Sequence, residues 1–390
     1  MSRLKRLPKE VWKLGWISLF ADVSTEMVYP LIPLFLTEVL KAPARALGLV
    51  EGVSESIVSI LKGWSGLRSD KIGRRLPFVQ TGYGLSAAGK PLLALAWAWP
   101  LVLVGRGVDR VGKGIRGTAR DALLTDVTPS DLRGAAFGIH RAMDTAGALI
   151  GVLLAGLLLI WLPGQYRLIF LLAAIPGFAA LYLTFRVKET NPPEIPADTS
   201  AKATLTAMPR GYWSALGLTV LFGLANSSDT FLLLRASKLG LSDVQVIWTY
   251  ALYNVTYMLM AYPAGVLSDR IGRWWVMGAG WALYALVYAG FATQGVPWLV
   301  PLFALYGIYI GLTKGVSAAL VADHAPKDRR GSAMGLFYFA TGLATLAASA
   351  LTGLLWDLAS PQVALGTAGA MAAVAAIAVP IAAWVAKFGR

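Results

Sequence analysis

The sequence has no cysteine in its 390 residues and only two histidines, His140 and His324. Without thiols there can be no disulfide, thiolate metal site or cysteine nucleophile. Two histidines are too few for an imidazole cluster around a metal. Charge is scarce too, at 14% of residues, where a soluble domain carries about a quarter. So few polar groups cannot cover a water-facing surface, which argues against a soluble enzyme. No Gly-x-x-x-x-Gly-Lys-(Ser/Thr) phosphate loop occurs, so nothing points to ATP as a driving force. No nucleophile is paired with a base, and no cofactor is expected. What the chain does have is apolar: 56% hydrophobic residues, 14 tryptophans, 41 glycines and a mean hydropathy of +0.61.

These residues gather into twelve apolar stretches, at about 12–38, 44–65, 77–98, 101–125, 135–160, 166–186, 211–234, 243–264, 275–294, 298–321, 333–357 and 362–386. Each is near the ~20 residues that cross a hydrocarbon core as a helix. The net charge of +14 would suggest nucleic acid in a soluble protein. Twelve spans explain it otherwise, because the side that holds both termini collects 21 of the 35 Lys and Arg and the other side five. The remaining nine lie inside spans. Positive charge marks the cytoplasmic side, so both termini are expected in the cytoplasm of a multi-pass inner-membrane protein, with no role for nucleic acid. The first stretch carries Asp22 and Glu26 and is too long for a signal-peptide core, so it reads as an uncleaved span.

The long polar connection 188–210 divides the spans six and six. Expected domains are therefore 1–187 and 211–390, joined by a cytoplasmic linker. The halves share sequence. Gly66-Leu-Arg-Ser-Asp70-Lys-Ile-Gly73-Arg74-Arg75 matches Gly265-Val-Leu-Ser-Asp269-Arg-Ile-Gly272-Arg273-Trp274 at six of ten positions, offset 199. Asp126 to Gly138 matches Asp323 to Gly335 at seven of thirteen, offset 197. The fold expected is all-α: twelve transmembrane helices in two pseudo-symmetric six-helix bundles.

The loop after the second span resembles the signature of the major facilitator superfamily, Gly-x-x-x-Asp-(Arg/Lys)-x-Gly-Arg-(Arg/Lys). The first copy is complete; the second has Trp274 where a base is expected. The resemblance covers all twelve spans and implies a secondary transporter, usually monomeric, that moves a small-molecule substrate by alternating access. It also implies a cytoplasmic latch at Gly66, Asp70, Gly73, Arg74, Gly265, Asp269 and Arg273.

Charges inside the spans raise a separate question. Each costs about 2.5–3.5 kcal/mol or more at the bilayer centre, so each is a functional hypothesis. Span one has Asp22 and Glu26; span two Glu51, Glu55 and Lys62; span three Lys90. Span four has Arg106, Asp109, Arg110, Lys113, Arg116, Arg120 and Asp121, all within roughly 140° of arc at about 100° per residue. Span five has His140, Arg141 and Asp144. The repeat supplies a control: at offset 197 Arg106, Asp109 and Arg110 align with Phe303, Tyr306 and Gly307, so the fold does not need the charges.

Carboxylates in a low-dielectric cavity near movable arginines can take up and release protons. Asp22, Glu26, Glu55, Asp109 and Asp144 are the candidate proton carriers, and Arg106, Arg110 and Lys113 the candidate substrate or anion site. Arg106 also matches the arginine of the family's fourth-helix motif, which by resemblance assists proton coupling. Span five resembles the glycine pattern of the family's antiporters at Gly138, Gly147, Gly151 and Gly156. Gly147 and Gly151 form a Gly-x-x-x-Gly face for close helix packing. Proton-coupled efflux of drugs or amphipathic metabolites is the leading expectation. The alternatives are proton-driven uptake of an anionic nutrient and, behind it, a non-transporting receptor.

Overall fold

The computed structural model describes residues 6–72, 74–129, 132–189, 208–293, 295–325 and 330–388. Among them the structure is helical throughout. The helices are α1 (Lys9–Glu26), α2 (Ala44–Ile72), α3 (Leu76–Ala94), α4 (Trp99–Asp126), α5 (Arg133–Trp161), α6 (Tyr166–Thr184), α7 (Arg210–Gly223), α8 (Thr230–Lys238), α9 (Asp243–Ile271), α10 (Arg273–Thr293), α11 (Leu299–His324), α12 (Arg330–Leu358) and α13 (Pro361–Phe388). Twelve spans result, because α7 and α8 are two pieces of the seventh. Among the described residues, seven segments are long and apolar enough to cross a membrane by length and composition alone. α2 and α4 are as long, but their charges lower the apolar signal.

Local chemistry sets the helix ends. Ser242 and Gln245 form a reciprocal capping box at the start of α9, and the Ser360 hydroxyl accepts from Val363 N at the start of α13. Gly272 turns the chain from α9 to α10 at φ +99°, a conformation that L side chains avoid. Side chains such as Trp97, Trp161, Leu286 and Ile377 face outward, as suits a lipid solvent rather than water.

Packing divides the chain into two units, residues 1–41 with 57–197 and residues 42–56 with 198–390. In the first, α1 packs on α5 and α6, and α3 on α4 and α6. In the second the equivalent pairs recur: α7 on α12 and α13, and α10 on α11 and α13. The repeat reaches individual residues. A Cβ on Gly114 would lie 2.6 Å from Leu61 Cβ, and one on Gly311 would lie 2.8 Å from Met260 Cβ. Those are the same positions at offsets 197 and 199. The outer part of α2 belongs to the second unit, where the Asp357 carboxylate of α12 accepts from the amides of Ala44 and Arg45, both at 2.9 Å.

Glycine also sets the spacing of α3 and α4. A Cβ on Gly112 would lie 2.6 Å from Ser86 N and would collide with the Gly82 carbonyl; one on Gly89 would lie 2.9 Å from Gly105 O. The obstacles are backbone and cannot swing aside. Gly112→Ala is therefore expected to lower the melting temperature of the purified protein, at an overpacking cost of about 1–3 kcal/mol. Gly107→Ala, whose Cβ would meet nothing within 4 Å, is expected to leave it unchanged.

Candidate functional site

The close approach of α3 and α4 places Lys90 beside Asp109. Lys90 Nζ donates to Asp109 Oδ1 at 2.7 Å and to Ser86 O at 2.9 Å, while the Ser86 hydroxyl donates to Asp109 O at 3.0 Å. Arg106 and Arg110 approach the other carboxylate oxygen at 3.8 and 3.9 Å. All four charged side chains are buried. Asp109 thus answers three cations, and Lys90 is a partner that residue spacing did not indicate. Both guanidinium groups lie over the Tyr29 ring, at 5.3 and 5.9 Å from its centre, within cation–π range. Tyr29 stands just past the end of α1, where Pro30 and Pro33 break the helix. Further along α4, Arg116 covers the Tyr83 ring at 4.1 Å.

A second cluster forms where α1 meets α5. These helices run parallel in one register: Gly15 abuts Met143, Gly147 abuts the Leu19 carbonyl, and Gly151 abuts Val23 and Glu26. A Cβ on Gly151 would lie 2.6 Å from Val23 O and 2.9 Å from Glu26 Cβ. Small residues allow this approach, and it brings Asp22 and Asp144 into hydrogen-bond contact. Asp144 also accepts from the Ser18 hydroxyl at 2.5 Å and from Arg141 at 3.1 Å. Arg120 of α4 donates to Ser18 at 3.0 Å and stands 3.8 Å from Asp144. Lys113 and Arg116 lie close enough to act on Asp22 through their charge. Two carboxyl groups in contact repel unless one carries a proton. The cluster therefore has the composition of an acid pair with a counter-ion, Arg120, that also pairs with Asp121 at 3.0 Å.

Glu55 and the buried Glu51 lie on the stretch of α2 that belongs to the second unit. That unit has its own polar feature. The seventh span is interrupted between Gly223 and Thr230. There the Tyr253 hydroxyl donates to Asp229 Oδ2 at 2.5 Å, Tyr309 to Asn226 Oδ1 at 3.1 Å, and Tyr284 to Ala225 O at 2.8 Å. Tyr253, Tyr284, Tyr288, Tyr306 and Tyr309 are all buried, with Tyr284 stacked on Tyr288 at 3.9 Å. Tyr250 and Trp281 are buried as well, and Trp248 is exposed. A separate cavity of about 280 Å³ is lined by Tyr257, Gly265, Ser268, Arg273 and Gly311.

At the loop ends, Gly73 and the side chains of Gly66 and Asp70 lie outside the described residues. Arg74 is exposed, whereas Arg75 is buried, with Nε 3.1 Å from Asp126 Oδ2 and a guanidinium nitrogen 3.0 Å from the Ser69 hydroxyl. Glu189 accepts from the amides of Arg75 and Leu76 at the start of α3. In the second half Arg273 pairs with Asp269 at 3.5 Å and with Asp323 at 2.5 Å. Asp126 and Asp323 open the second repeated motif. Each motif thus binds its neighbour in the same half, a link signalled only by the recurrence of both. Trp274, in place of a base, packs edge-on against the His324 ring at 5.8 Å.

Comparison with known proteins gives one consistent result. The family model described as Major Facilitator Superfamily matches residues 14–235 and 215–389. An uncharacterized MFS-type transporter of Methanocaldococcus jannaschii is 37% identical over 369 residues, which are 92% of this chain and 91% of that protein. Relatives at 26% identity include the following two. One is a probable 4-methylmuconolactone transporter of Cupriavidus pinatubonensis, matched over 74% of this chain and 70% of that protein. The other is the multidrug resistance protein MdtH of Cronobacter sakazakii, over 79% and 77%. Among solved structures, the POT family transporter PepTSo superposes with a TM-score of 0.82 at 14% identity, covering 98% of this chain and 99% of that one. At that identity the likeness speaks for the fold alone.

Proposed function

The chain belongs to the major facilitator superfamily, and from that premise we propose a proton-coupled secondary transporter that exports drugs or amphipathic metabolites in exchange for protons. The observation that carries the proposal is the contact between Asp22 and Asp144, with Arg120 alongside. A proton added to the pair weakens the hold on Arg120, and its loss strengthens it. Protonation is thereby tied to the position of a side chain on a third helix. Arg120 links α4 to α1 and α5, so the change is felt where helices must slide. The Gly147 and Gly151 contacts provide the surface for such sliding.

Alternating access would involve two six-helix bundles, 1–187 and 211–390, joined by the linker 188–210. Both termini would lie on the cytoplasmic side of the inner membrane, and the working unit would be a monomer in the bilayer. Asp70, Arg74, Asp269 and Arg273, with Gly66, Gly73 and Gly265, would latch the cytoplasmic loops. Glu26, at the broken end of α1, and Glu55 are secondary proton sites in this scheme, and Asp109 serves chiefly as counter-ion to Lys90, Arg106 and Arg110. The relative named as a multidrug resistance protein supports an amphipathic substrate. A second reading, proton-driven uptake of an anion, is favoured by Arg106 and Arg110 side by side near Lys113. The relative named as a lactone transporter fits a small organic substrate in either reading.

Proteoliposomes with a trapped pH-sensitive dye separate the two. For the exporter, tetraphenylphosphonium is expected to evoke proton movement that Glu26→Gln reduces. For the importer, only an organic anion such as benzoate evokes movement, and Arg106→Ala removes it. A panel of lipophilic cations that never moves protons, with the protein folded and reconstituted, would count against export.

A further inference from the structure

His140 has no part in the transport scheme so far, yet its position is unusual. It is 4% exposed, and its Nε2 makes no hydrogen bond among the described residues. Buried polar atoms are nearly always bonded, and an exception asks for an explanation such as chemistry or a transient water. His140 stands four residues before Asp144 on α5, on the same helix face and one turn nearer the Arg133 end. On the orientation proposed above that end is cytoplasmic. The charged groups that act on the ring are Arg120 and Asp121 from α4 and Arg141 and Asp144 from α5. α1 contributes Asp22 through its bond to Asp144. The one charged residue of α6, Arg167, lies at its far end and donates to Ala94 O at 2.6 Å.

Imidazole is the side chain best suited to take a proton on one nitrogen and give one up from the other near neutral pH. Resting on the proton-coupling proposal, we propose that His140 is the proton relay between the cytoplasmic side and the Asp144–Asp22 pair. When the pair gains a proton from this side, a proton leaves a ring nitrogen of the cationic imidazole and binds an oxygen of Asp144. The ring, neutral again, is reprotonated from the cytoplasmic end. Release runs in reverse, and no other reactant is consumed. Ser18, Asp22 and Glu26, at successive turns of α1, continue the same ladder toward the far side. His140 acts through Asp144 and does not touch substrate.

The test needs only protons as the probe. Full-length protein in liposomes is given a sudden drop in pH, and the protonated-carboxyl infrared band is followed in time. The wild type is expected to show a band that Asp22→Asn and Asp144→Asn remove. In His140→Gln the band should reach the same amplitude about a hundredfold more slowly, the low end for loss of a positioned proton-transfer group. In His140→Gly, added imidazole should restore the rate. A wild-type rate in His140→Gln overturns the relay and leaves the proton-coupling proposal standing. A band unchanged by both Asp variants overturns that proposal itself. Should the His140 variants fail to fold, ¹⁵N-histidine labelling of the wild type decides instead, since only His324 shares the spectrum. The His140 ring must change protonation in the same pH interval as the band, and a ring that stays neutral throughout sinks the relay.

Discussion

Asp22→Asn is expected to abolish proton movement coupled to substrate in reconstituted liposomes, with binding of a lipophilic cation retained. Asparagine keeps the volume and a hydrogen bond to Asp144 but cannot exchange a proton. The loss should reach at least about a hundredfold, the contribution typical of a positioned proton-transferring group. Asp144→Asn is expected to do the same and to leave Arg120, now 3.8 Å from Asp144, held by Asp121 and the Ser18 hydroxyl, each at 3.0 Å. Glu26→Gln should act more weakly, because Glu26 stands outside the pair. Dye-loaded proteoliposomes measure the coupling, and equilibrium binding of tetraphenylphosphonium measures what remains. If Asp22→Asn still exchanged protons at the wild-type rate, the pair would not be the coupling site.

Asp109→Ala is expected to be the most destabilising single change in the interior. It leaves Lys90, Arg106 and Arg110 around a site from which their shared carboxylate has gone. Removing one partner of a buried ion pair costs about 3–5 kcal/mol, since the residual charge remains desolvated. Purified Asp109→Ala should melt well below the wild type. Lys90→Ala added to it should recover part of the loss, because one uncompensated cation is withdrawn; a double variant as unstable as the sum of the singles would show that the two do not interact. The comparison separates structural counter-ion from proton carrier. Asp109 variants should lose stability first, and Asp22 variants should lose coupling while staying folded.

Much of this was legible before the structure. Apolar runs of span length report themselves, since every backbone group in lipid must be satisfied within its own helix. The two motif copies disclosed the repeat, which recurs down to the contacts of Gly114 and Gly311. Charge spacing along α4 identified Arg106, Asp109 and Arg110 as one face. The partners were harder to see. Lys90 was only one more buried base until Gly82, Gly89, Gly105 and Gly112 drew α3 onto α4. Arg75 closes the first motif copy, and nothing in the motif announces its burial against Asp126. A lone histidine has no sequence pattern at all, so His140 stood out only through its burial and its unbonded nitrogen.

The class of molecule follows from the chain alone: helical, membrane-spanning, twofold repeated and charged in one half. These are properties of composition and period, which act along the chain and need no knowledge of what lies across it. Which charges meet depends on packing. Asp22 and Asp144 are 122 positions apart, and whether they touch depends on the parallel register that Gly147 and Gly151 permit against Leu19 and Val23. An offset of one residue would rotate a helix by about 100° and separate them. Pairing between distant helices is set by how small residues let surfaces close. That is a property of two faces together, which neither stretch of sequence carries alone.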